Sequence, residues 1–148
     1  MSEGFYIGQE LVEMIKAHEG FSEKPYKCTS GALTIGYGHN LDANGIPESV
    51  ALQLLYHDID RAIKDCLAVF GGYFYSLNTV RQNVVIDMMF NLGITRFRTF
   101  KKFIRALTVG DYEWAAREML NSKWAKQVGK RAQELACAMR GSEHNKRD

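Results

Sequence analysis

Residues 19–41 read EGFSEKPYKCTSGALTIGYGHNL, and this stretch decides the fold class. Before it, apolar residues recur at helical spacing over 9–19, and Gly20 can end that helix. Within it the helical period is lost, glycines become frequent, and extended segments at 25–27 and 33–37 flank a Thr-Ser-Gly turn. The sequence therefore predicts one helix followed by a small β hairpin or meander.

The remainder of the chain has only helical patterns. A long helix is predicted from Pro47-Glu48-Ser49 to Phe70, with an apolar stripe and two glycines at its end. Asn78 can cap a strongly apolar helix that ends at Gly93, and Asp111 can cap a later one. A further apolar stripe at helical spacing consists of Phe97, Phe100, Ile104 and Leu107. A final helix is predicted to end before Gly141.

Together these patterns predict a mostly helical α+β fold in a single domain over 1–148. We expect a β-containing lobe over about 20–47, a connecting helix over about 48–72 and a helical lobe over about 73–148. The length is sufficient for one compact domain with a real core, and 46% apolar with 24% charged residues is ordinary for a globular protein. Only residues 142–148 have the composition of a disordered tail.

The net charge of +2 conceals an uneven distribution. Residues 1–75 hold ten acidic and five basic side chains, a net −5, whereas residues 76–148 hold seven and fourteen, a net +7. A basic half can attract an anionic polymer such as nucleic acid, cell wall or lipopolysaccharide, or its charges can simply solvate helix faces. Because the basic residues alternate with Phe97, Phe100 and Phe103, they indicate an amphipathic core helix, and we do not predict nucleic-acid binding.

Residues 1–9 lack the basic and apolar segments of a secretion signal, and no apolar run is long enough for a membrane span. We therefore expect no export signal and no stable membrane insertion. The chain has three widely spaced cysteines, Cys28, Cys66 and Cys137. Their odd number and spacing argue against a disulfide framework and against a metal site. They favour synthesis in a reducing compartment.

Glu19 is the first candidate for chemistry. It lies at the end of an apolar helix, next to a glycine, where the hairpin begins. A carboxyl group half-buried there would keep its proton near neutral pH, as the general acid of a glycosidase must. A glutamate at a helix end is by itself commonly a surface residue, so its spacing to the hairpin residues is what matters.

That spacing is specific. Glu19, Cys28 and Thr34 form the pattern E-x8-C-x5-T, followed by IGYGH, and this pattern resembles the phage lysozyme family typified by the T-even phage enzyme. The segments MMFNLG (88–93), SKW (122–124) and KRA (130–132) resemble later parts of that family in order and separation. The resemblance covers nearly the whole chain, but Cys28 stands where the family usually has Asp, a position at which cysteine is a recognised variant.

The resemblance implies a lysozyme-like fold, with a small β-containing N-terminal lobe and a helical C-terminal lobe on which the 9–19 helix packs. It implies a cleft between the lobes that binds alternating N-acetylmuramic acid and N-acetylglucosamine. The implied reaction is hydrolysis of the β-1,4 bond with inversion, in which an acid protonates the leaving oxygen and water attacks the opposite face of the sugar. It requires no cofactor and no metal.

The resemblance also implies roles for the triad. Glu19 is the expected proton donor, and Thr34 is expected to hold the water through its hydroxyl. Cys28 stands at the position that stabilises the oxocarbenium-like charge or directs the water. A thiol offers less fixed negative charge than a carboxylate, and a thiolate is a strong nucleophile. We favour water positioning, with a covalent retaining route and an inert small residue as the alternatives.

Other residues are assigned by the same likeness. His39 matches a histidine that pairs with an acid on the connecting helix, here Asp58, and its implied role is structural. Arg131 matches an arginine that reaches the catalytic glutamate and orients it. The implied saccharide contacts come from both lobes: Gly38, Leu41, Phe90 and Asn91, although Phe90 can equally belong to the core.

The implied biology is that of an endolysin that lyses the host cell. The partner is peptidoglycan, and the enzyme is expected to be a monomer that accumulates in the host cytoplasm until a separate holin opens the membrane. Two alternatives remain. One is a lytic transglycosylase, which needs only one acidic residue, and the other is a non-catalytic wall-binding module that lost its chemistry with the Asp. A helical DNA-binding protein is a more remote third.

Overall fold

The structure, a computed structural model, describes residues 4–141, so the predicted disorder of 142–148 lies outside the described residues. These residues form a mostly helical protein with one antiparallel three-stranded sheet, which confirms the predicted α+β class. The chain divides into two compact units, the first up to Gln53 and the second from Leu54.

The first unit contains the sheet and two of the helices. Its elements in chain order are α1 (Gln9–Glu19), β1 (Ser22–Lys27), β2 (Leu33–Gly36), β3 (His39–Asn40) and α2 (Leu41–Asn44). The predicted helix and hairpin are both confirmed, and Gly20 ends α1 in a left-handed conformation that favours glycine, with φ +69°.

The sheet is a meander in the order β1-β2-β3. Thr34 lies at its centre, paired with Tyr26 of β1 on one side and Asn40 of β3 on the other. The turn between β1 and β2 is closed by two backbone hydrogen bonds. The Gly31 amide donates to the Cys28 carbonyl oxygen at 2.8 Å, and the Cys28 amide donates to that of Ala32 at 3.0 Å.

The first unit has little apolar interior. Thr34 is its only buried side chain among the described residues, with 4% of its surface exposed. Aromatic contacts lie on its surface, where the rings of Phe21 and Tyr37 are 5.3 Å apart and the Lys16 ammonium is 5.4 Å from the centre of the Tyr37 ring. Hydrogen bonds of the sheet and turns therefore shape this unit more than burial does.

The second unit is helical, and the division between the units falls within its first helix. The helices in chain order are α3 (Glu48–Phe70), a 3₁₀ helix (Gly71–Ser76), α4 (Thr79–Leu92), α5 (Ile94–Phe97), α6 (Lys101–Thr108), α7 (Tyr112–Leu120), α8 (Lys123–Val128) and α9 (Lys130–Arg140). Both predicted N-caps are confirmed, because Asn78 accepts from the Arg81 amide and Asp111 from the Trp114 amide, each at 2.9 Å.

The core of this unit is built around α4, whose Val84, Val85, Met88 and Met89 are almost completely buried. Val80, in the first turn of the same helix, is 40% exposed. The core is completed by residues of the later helices, among them Phe97, Phe103, Met119, Trp124 and Met139.

The helical stripe predicted from Phe97 to Leu107 is wrong in part. The chain leaves the helix after Phe97 and re-enters it at Lys101, with Phe100 at a non-helical ψ of 57°. This break shifts the helical phase, so Phe103 and Leu107 are buried, whereas Phe100 and Ile104 are only partly buried.

Arg81 connects three helices of the second unit. Its Nε donates to the Met139 carbonyl oxygen at 2.8 Å and its Nη2 to that of Arg140 at 3.0 Å, so it satisfies carbonyl groups at the C-terminal end of α9. Its guanidinium also lies 3.6 Å from the centre of the Tyr112 ring on α7.

Two expectations stay predictions. One is the set of lobe boundaries at 20–47, 48–72 and 73–148, and the other is the packing of the 9–19 helix on the helical lobe. The helix over 9–19, the hairpin and the long helix that ends at Phe70 are confirmed.

We expect Met88→Ala to lower the free energy of unfolding by about 2–5 kcal/mol, because it leaves a cavity beside fully buried neighbours. Val80→Ala on the same helix is the matched control and should cost about 0.5 kcal/mol or less, since that side chain is largely exposed. Urea denaturation followed by circular dichroism measures both values. Equal losses would show that the core is not centred on this face of α4.

Candidate active site

Glu19 is the last residue of α1, directly before the left-handed Gly20. Its carboxyl group was expected to be half-buried, and this expectation is wrong: Glu19 is exposed. The reason is that α1 has no buried side chain along its length, so its C-terminal end provides no apolar enclosure for the acid.

The Glu19 carboxyl group lies directly against Gly38. A β-carbon built on Gly38 would lie 2.5 Å from Glu19 Oε2 and 2.8 Å from its Cδ, distances that real atoms do not adopt. Gly38 also has a φ of +72°, in the region that favours glycine. The turn between β2 and β3 therefore brings bare backbone against the carboxyl group, and a larger side chain at position 38 would have to displace it.

Cys28 follows β1, at the start of the turn to β2, and is partly exposed. Its Sγ lies 3.0 Å from the Ser30 hydroxyl oxygen. Hydrogen bonds from the side chain and backbone of Ser30 are the main cause that lowers the pKa of the Cys28 thiol to about 7. Near neutral pH a large fraction of Cys28 is therefore a thiolate, and the site carries much of the negative charge that a carboxylate would supply.

Thr34 joins the thiol to the interior of the sheet. Its hydroxyl donates to the Ala32 carbonyl oxygen at 2.9 Å, which leaves the oxygen lone pairs free to accept a hydrogen bond. Because this side chain is buried at the centre strand, its position is fixed more firmly than that of Cys28. Cys28, Ser30 and Thr34 thus form a compact polar cluster on one hairpin.

The segment after β2 is braced by local hydrogen bonds. Asp42 Oδ2 accepts from the Leu33 amide at 2.6 Å, and Asn40 caps α2 by accepting from the Ala43 amide at 2.9 Å. The ring Nε2 of His39 is 2.5 Å from the Gly45 carbonyl oxygen, so His39 ties β3 to the end of α2. Leu41, a predicted saccharide contact, is the partly exposed first residue of α2.

The remaining predicted site residues belong to the second unit. Phe90 is 41% exposed on α4 and does not belong to the core, and the neighbouring Asn91 accepts from Trp124 Nε1 at 2.7 Å. Arg131 is paired with Asp87, with its Nη2 at 2.6 Å and its Nε at 2.8 Å from the same carboxylate oxygen. On α3, the Asp58 Oδ1 atom lies 3.6 Å from Arg61 Nη1, so these two side chains form an ion pair.

The structure therefore brings together Glu19 with Gly38, and Cys28 with Thr34, within the first unit. The expected contacts of His39 with Asp58 and of Arg131 with Glu19 stay predictions. Sequence reasoning missed Ser30 and Asp42. A serine two residues after Cys28 in a Thr-Ser-Gly turn was a usable signal for Ser30, because short hydroxyl side chains hydrogen-bond within turns. Asp42 carried no comparable signal.

Among residues 4–141, no helix combines the length and the apolar character that crossing a lipid bilayer requires.

Comparison with known proteins gives a consistent result. A family model described as phage lysozyme matches residues 16–141. An endolysin from Acyrthosiphon pisum secondary endosymbiont phage 1 is 30% identical over 127 residues, which cover 85% of this chain and 86% of that protein. Probable T4-type lysozyme 1 of Dictyostelium discoideum is 25% identical over 153 residues, covering 84% of this chain and 90% of the relative.

We expect Ser30→Ala to raise the pKa of the Cys28 thiol towards that of a free cysteine, because it removes the nearest hydrogen bond to the thiolate. Alkylation by iodoacetamide, followed by mass spectrometry of the Cys28 peptide across pH 5–10, should show a midpoint near 7 for the parent and a higher one for the variant. Thr29→Ala is the matched control in the same turn. An unchanged midpoint in Ser30→Ala would contradict the proposed cause.

Proposed function

The chain belongs to the phage lysozyme family, and on that basis we propose that it hydrolyses the β-1,4 bond between N-acetylmuramic acid and N-acetylglucosamine in peptidoglycan. Family membership makes it a cell-wall-lytic glycosidase. The observation that carries the finer proposal is the close approach of the Glu19 carboxyl group to Gly38, which leaves the acid exposed against bare backbone of the sheet.

Glu19 is the proposed general acid. In the first step its carboxyl group donates a proton to the glycosidic oxygen as the bond from that oxygen to the anomeric carbon breaks. The leaving sugar departs with a free hydroxyl group, and positive charge develops on the anomeric carbon and ring oxygen. Gly38 supports this step because its missing side chain allows the carboxyl group to lie uncovered against the turn.

Cys28 and Thr34 are proposed to orient the attacking water. The Thr34 hydroxyl donates to the Ala32 carbonyl oxygen, so it can accept a hydrogen bond from water, and the Cys28 thiolate can accept a second. A water that donates both its protons in this way presents a lone pair to the anomeric carbon. Its attack on the opposite face would invert that centre, and one of its protons passes to the thiolate as the new bond forms.

The thiolate also contributes charge. A negative sulfur close to the developing oxocarbenium ion stabilises it, as a carboxylate does at this position in most of the family. Direct attack by the thiolate is the alternative, and it would produce a covalent glycosyl-sulfur intermediate with overall retention. Water positioning is favoured because the Ser30 hydrogen bond weakens the nucleophilicity of the sulfur.

The supporting residues keep the roles that the resemblance implies. Saccharide contacts are proposed for both units: Gly38, Leu41, Phe90 and Asn91. The exposure of Phe90 supports a sugar-stacking role, since an aromatic ring on the surface of α4 is free to contact a ligand. His39 and Asp58 are proposed as structural residues, and Arg131 as an orienting residue for Glu19.

We propose that the protein acts as a monomer and accumulates in the host cytoplasm. It would reach the wall once a separate holin has opened the membrane, and it would then lyse the cell. Neither a metal nor a cofactor is needed for the steps above, because proton transfer and water attack use only side chains of the chain itself.

A lytic transglycosylase is the second candidate, and the replacement of the usual carboxylate by Cys28 favours it. Such an enzyme closes the muramic acid on itself and leaves a 1,6-anhydro end, whereas hydrolysis leaves a reducing end. Mass spectrometry of digested peptidoglycan separates the two products. A predominance of 1,6-anhydro products would replace hydrolysis with transglycosylation and leave Glu19 as the essential acid.

We expect Glu19→Gln to reduce the rate at which chloroform-treated Gram-negative cells are cleared by about 100-fold or more, because the amide cannot donate the proton. Glu23→Gln is the matched control, since Glu23 is an exposed carboxylate on β1. Circular dichroism verifies that both variants fold. If Glu19→Gln clears cells as fast as the parent, the protein is a non-catalytic wall-binding module or uses another acid.

We expect Gly38→Ala to reduce the same activity by roughly 10- to 100-fold, because the added methyl group displaces the Glu19 carboxyl group. Gly36→Ala is the control, since Gly36 has a similar φ of +66° but no neighbour within 4 Å of an added β-carbon. Both variants should lose about 1–2 kcal/mol of stability to backbone strain, and only Gly38→Ala should lose activity beyond that effect. Parallel losses of activity would remove the special role of Gly38.

A further inference from the structure

The hydrogen bonds of Asp42 and of the candidate active site meet at one peptide group, the one between Ala32 and Leu33. Its carbonyl oxygen, that of Ala32, accepts from the Cys28 amide at 3.0 Å and from the Thr34 hydroxyl at 2.9 Å. Its amide, that of Leu33, lies on the opposite side of the same plane and donates to Asp42 Oδ2 at 2.6 Å. One peptide group is therefore held from both sides.

The oxygen side of this peptide group is fully used. A carbonyl oxygen has two lone pairs, and the Cys28 amide and the Thr34 hydroxyl occupy both. Because a trans peptide is planar, the Ala32 carbonyl can rotate only together with the Leu33 amide. A side chain that holds this amide therefore also holds the two residues that are proposed to orient the attacking water.

Asp42 takes the place of a partner that the sheet does not provide. The last pair of β2 with β3 joins Thr34 to Asn40, and the chain then enters α2 at Leu41. Leu33 lies one residue beyond that pair, opposite the start of α2 rather than a strand. The Asp42 carboxylate accepts from its amide, and an ionised acceptor makes a shorter and stronger hydrogen bond than a neutral one.

Helix stabilisation does not account for this use of Asp42. An acid in the first turn commonly stabilises a helix through the helix dipole, but α2 has only four residues, so its summed dipole is small. The N-cap of α2 is already provided by Asn40, which accepts from the Ala43 amide at 2.9 Å. The Asp42 side chain instead reaches from α2 to the central strand of the sheet.

We propose that Asp42 is a positioning residue of the candidate active site, which acts on Cys28 and Thr34 through the peptide group that all three share. The inference rests on the proposed function, which gives Cys28 and Thr34 the task of orienting water. It adds a residue that contacts neither the water nor the sugar. Misplaced water-orienting groups slow the chemical step and leave the binding of the glycan unchanged.

The test compares two substitutions at position 42. Asp42→Ala removes the acceptor, whereas Asp42→Asn loses the charge but retains a side-chain oxygen that can accept from the Leu33 amide. With purified peptidoglycan as the substrate, we expect Asp42→Ala to lower kcat about tenfold and to change KM less than about twofold. Asp42→Asn should recover kcat to within about threefold of the parent, because its hydrogen bond is weaker but present.

Glu48→Ala is the matched control, because Glu48 is an exposed acid in the first turn of α3. It removes the same charge and should leave kcat unchanged. An equal loss of kcat in Asp42→Asn and Asp42→Ala, or in Glu48→Ala, would overturn the proposal in favour of a charge effect. A higher KM of Asp42→Ala at unchanged kcat would also overturn it, since Asp42 would then contact the glycan itself.

Amide hydrogen exchange followed by NMR separates this inference from the proposed function, because it requires no catalysis. In Asp42→Ala we expect the amides of Leu33 and Cys28 to exchange about tenfold faster than in the parent, and in Asp42→Asn to stay within about threefold. The amide of Val85 in the buried core is the reference and should not change. Faster exchange of Leu33 alone, or of neither amide, overturns the proposal, whereas the expected exchange in a parent that does not cleave peptidoglycan refutes only the proposed function.

Discussion

The hydrogen-bonded turn between β1 and β2 is the constraint on which the candidate active site depends. Two backbone hydrogen bonds close it, and they fix Cys28 in relation to Ala32 and so to Thr34 on the central strand. Because Thr34 is the only buried side chain among the described residues of the first unit, apolar packing contributes little here. Polar geometry positions the reacting groups, and the side chain at position 28 projects from backbone that is already defined.

The helical unit provides what the sheet unit lacks. Its core is centred on α4, and the guanidinium of Arg81 connects that helix to the carbonyl groups at the end of α9 and to Tyr112. A rigid unit of this kind can present charged side chains at fixed separations, which a small sheet without a core cannot do as well. The polar cluster of the candidate active site and the rigid, net-basic helical core thus belong to different parts of one short chain.

Much of this architecture could be predicted because the signals were local. Glycines end α1 and α4, and the short polar side chains of Asn78 and Asp111 cap the helices that follow them. Each of these signals acts within a single turn of the backbone. The predicted helical phase after Phe97 was wrong because the observed phase depends on the non-helical ψ of Phe100. The pattern of apolar residues gives no indication of that backbone angle. The exposure of Glu19 and the pairing of Arg131 with Asp87 depend on residues distant in the sequence. The proposed triad of Glu19, Cys28 and Thr34 rests on a spacing that resembles the family's, whereas Ser30, which hydrogen-bonds to Cys28, was missed although its place in the turn was a usable signal.

The contrast between two of the three thiols has a practical consequence. Burial raises the pKa of the Cys66 thiol to about 12, whereas hydrogen bonds hold that of Cys28 at about 7. At neutral pH an electrophilic dye or spin label will distinguish these two sulfur atoms without any engineering of the chain. Of these two positions, Cys28 is therefore the one at which a spectroscopic reporter will attach.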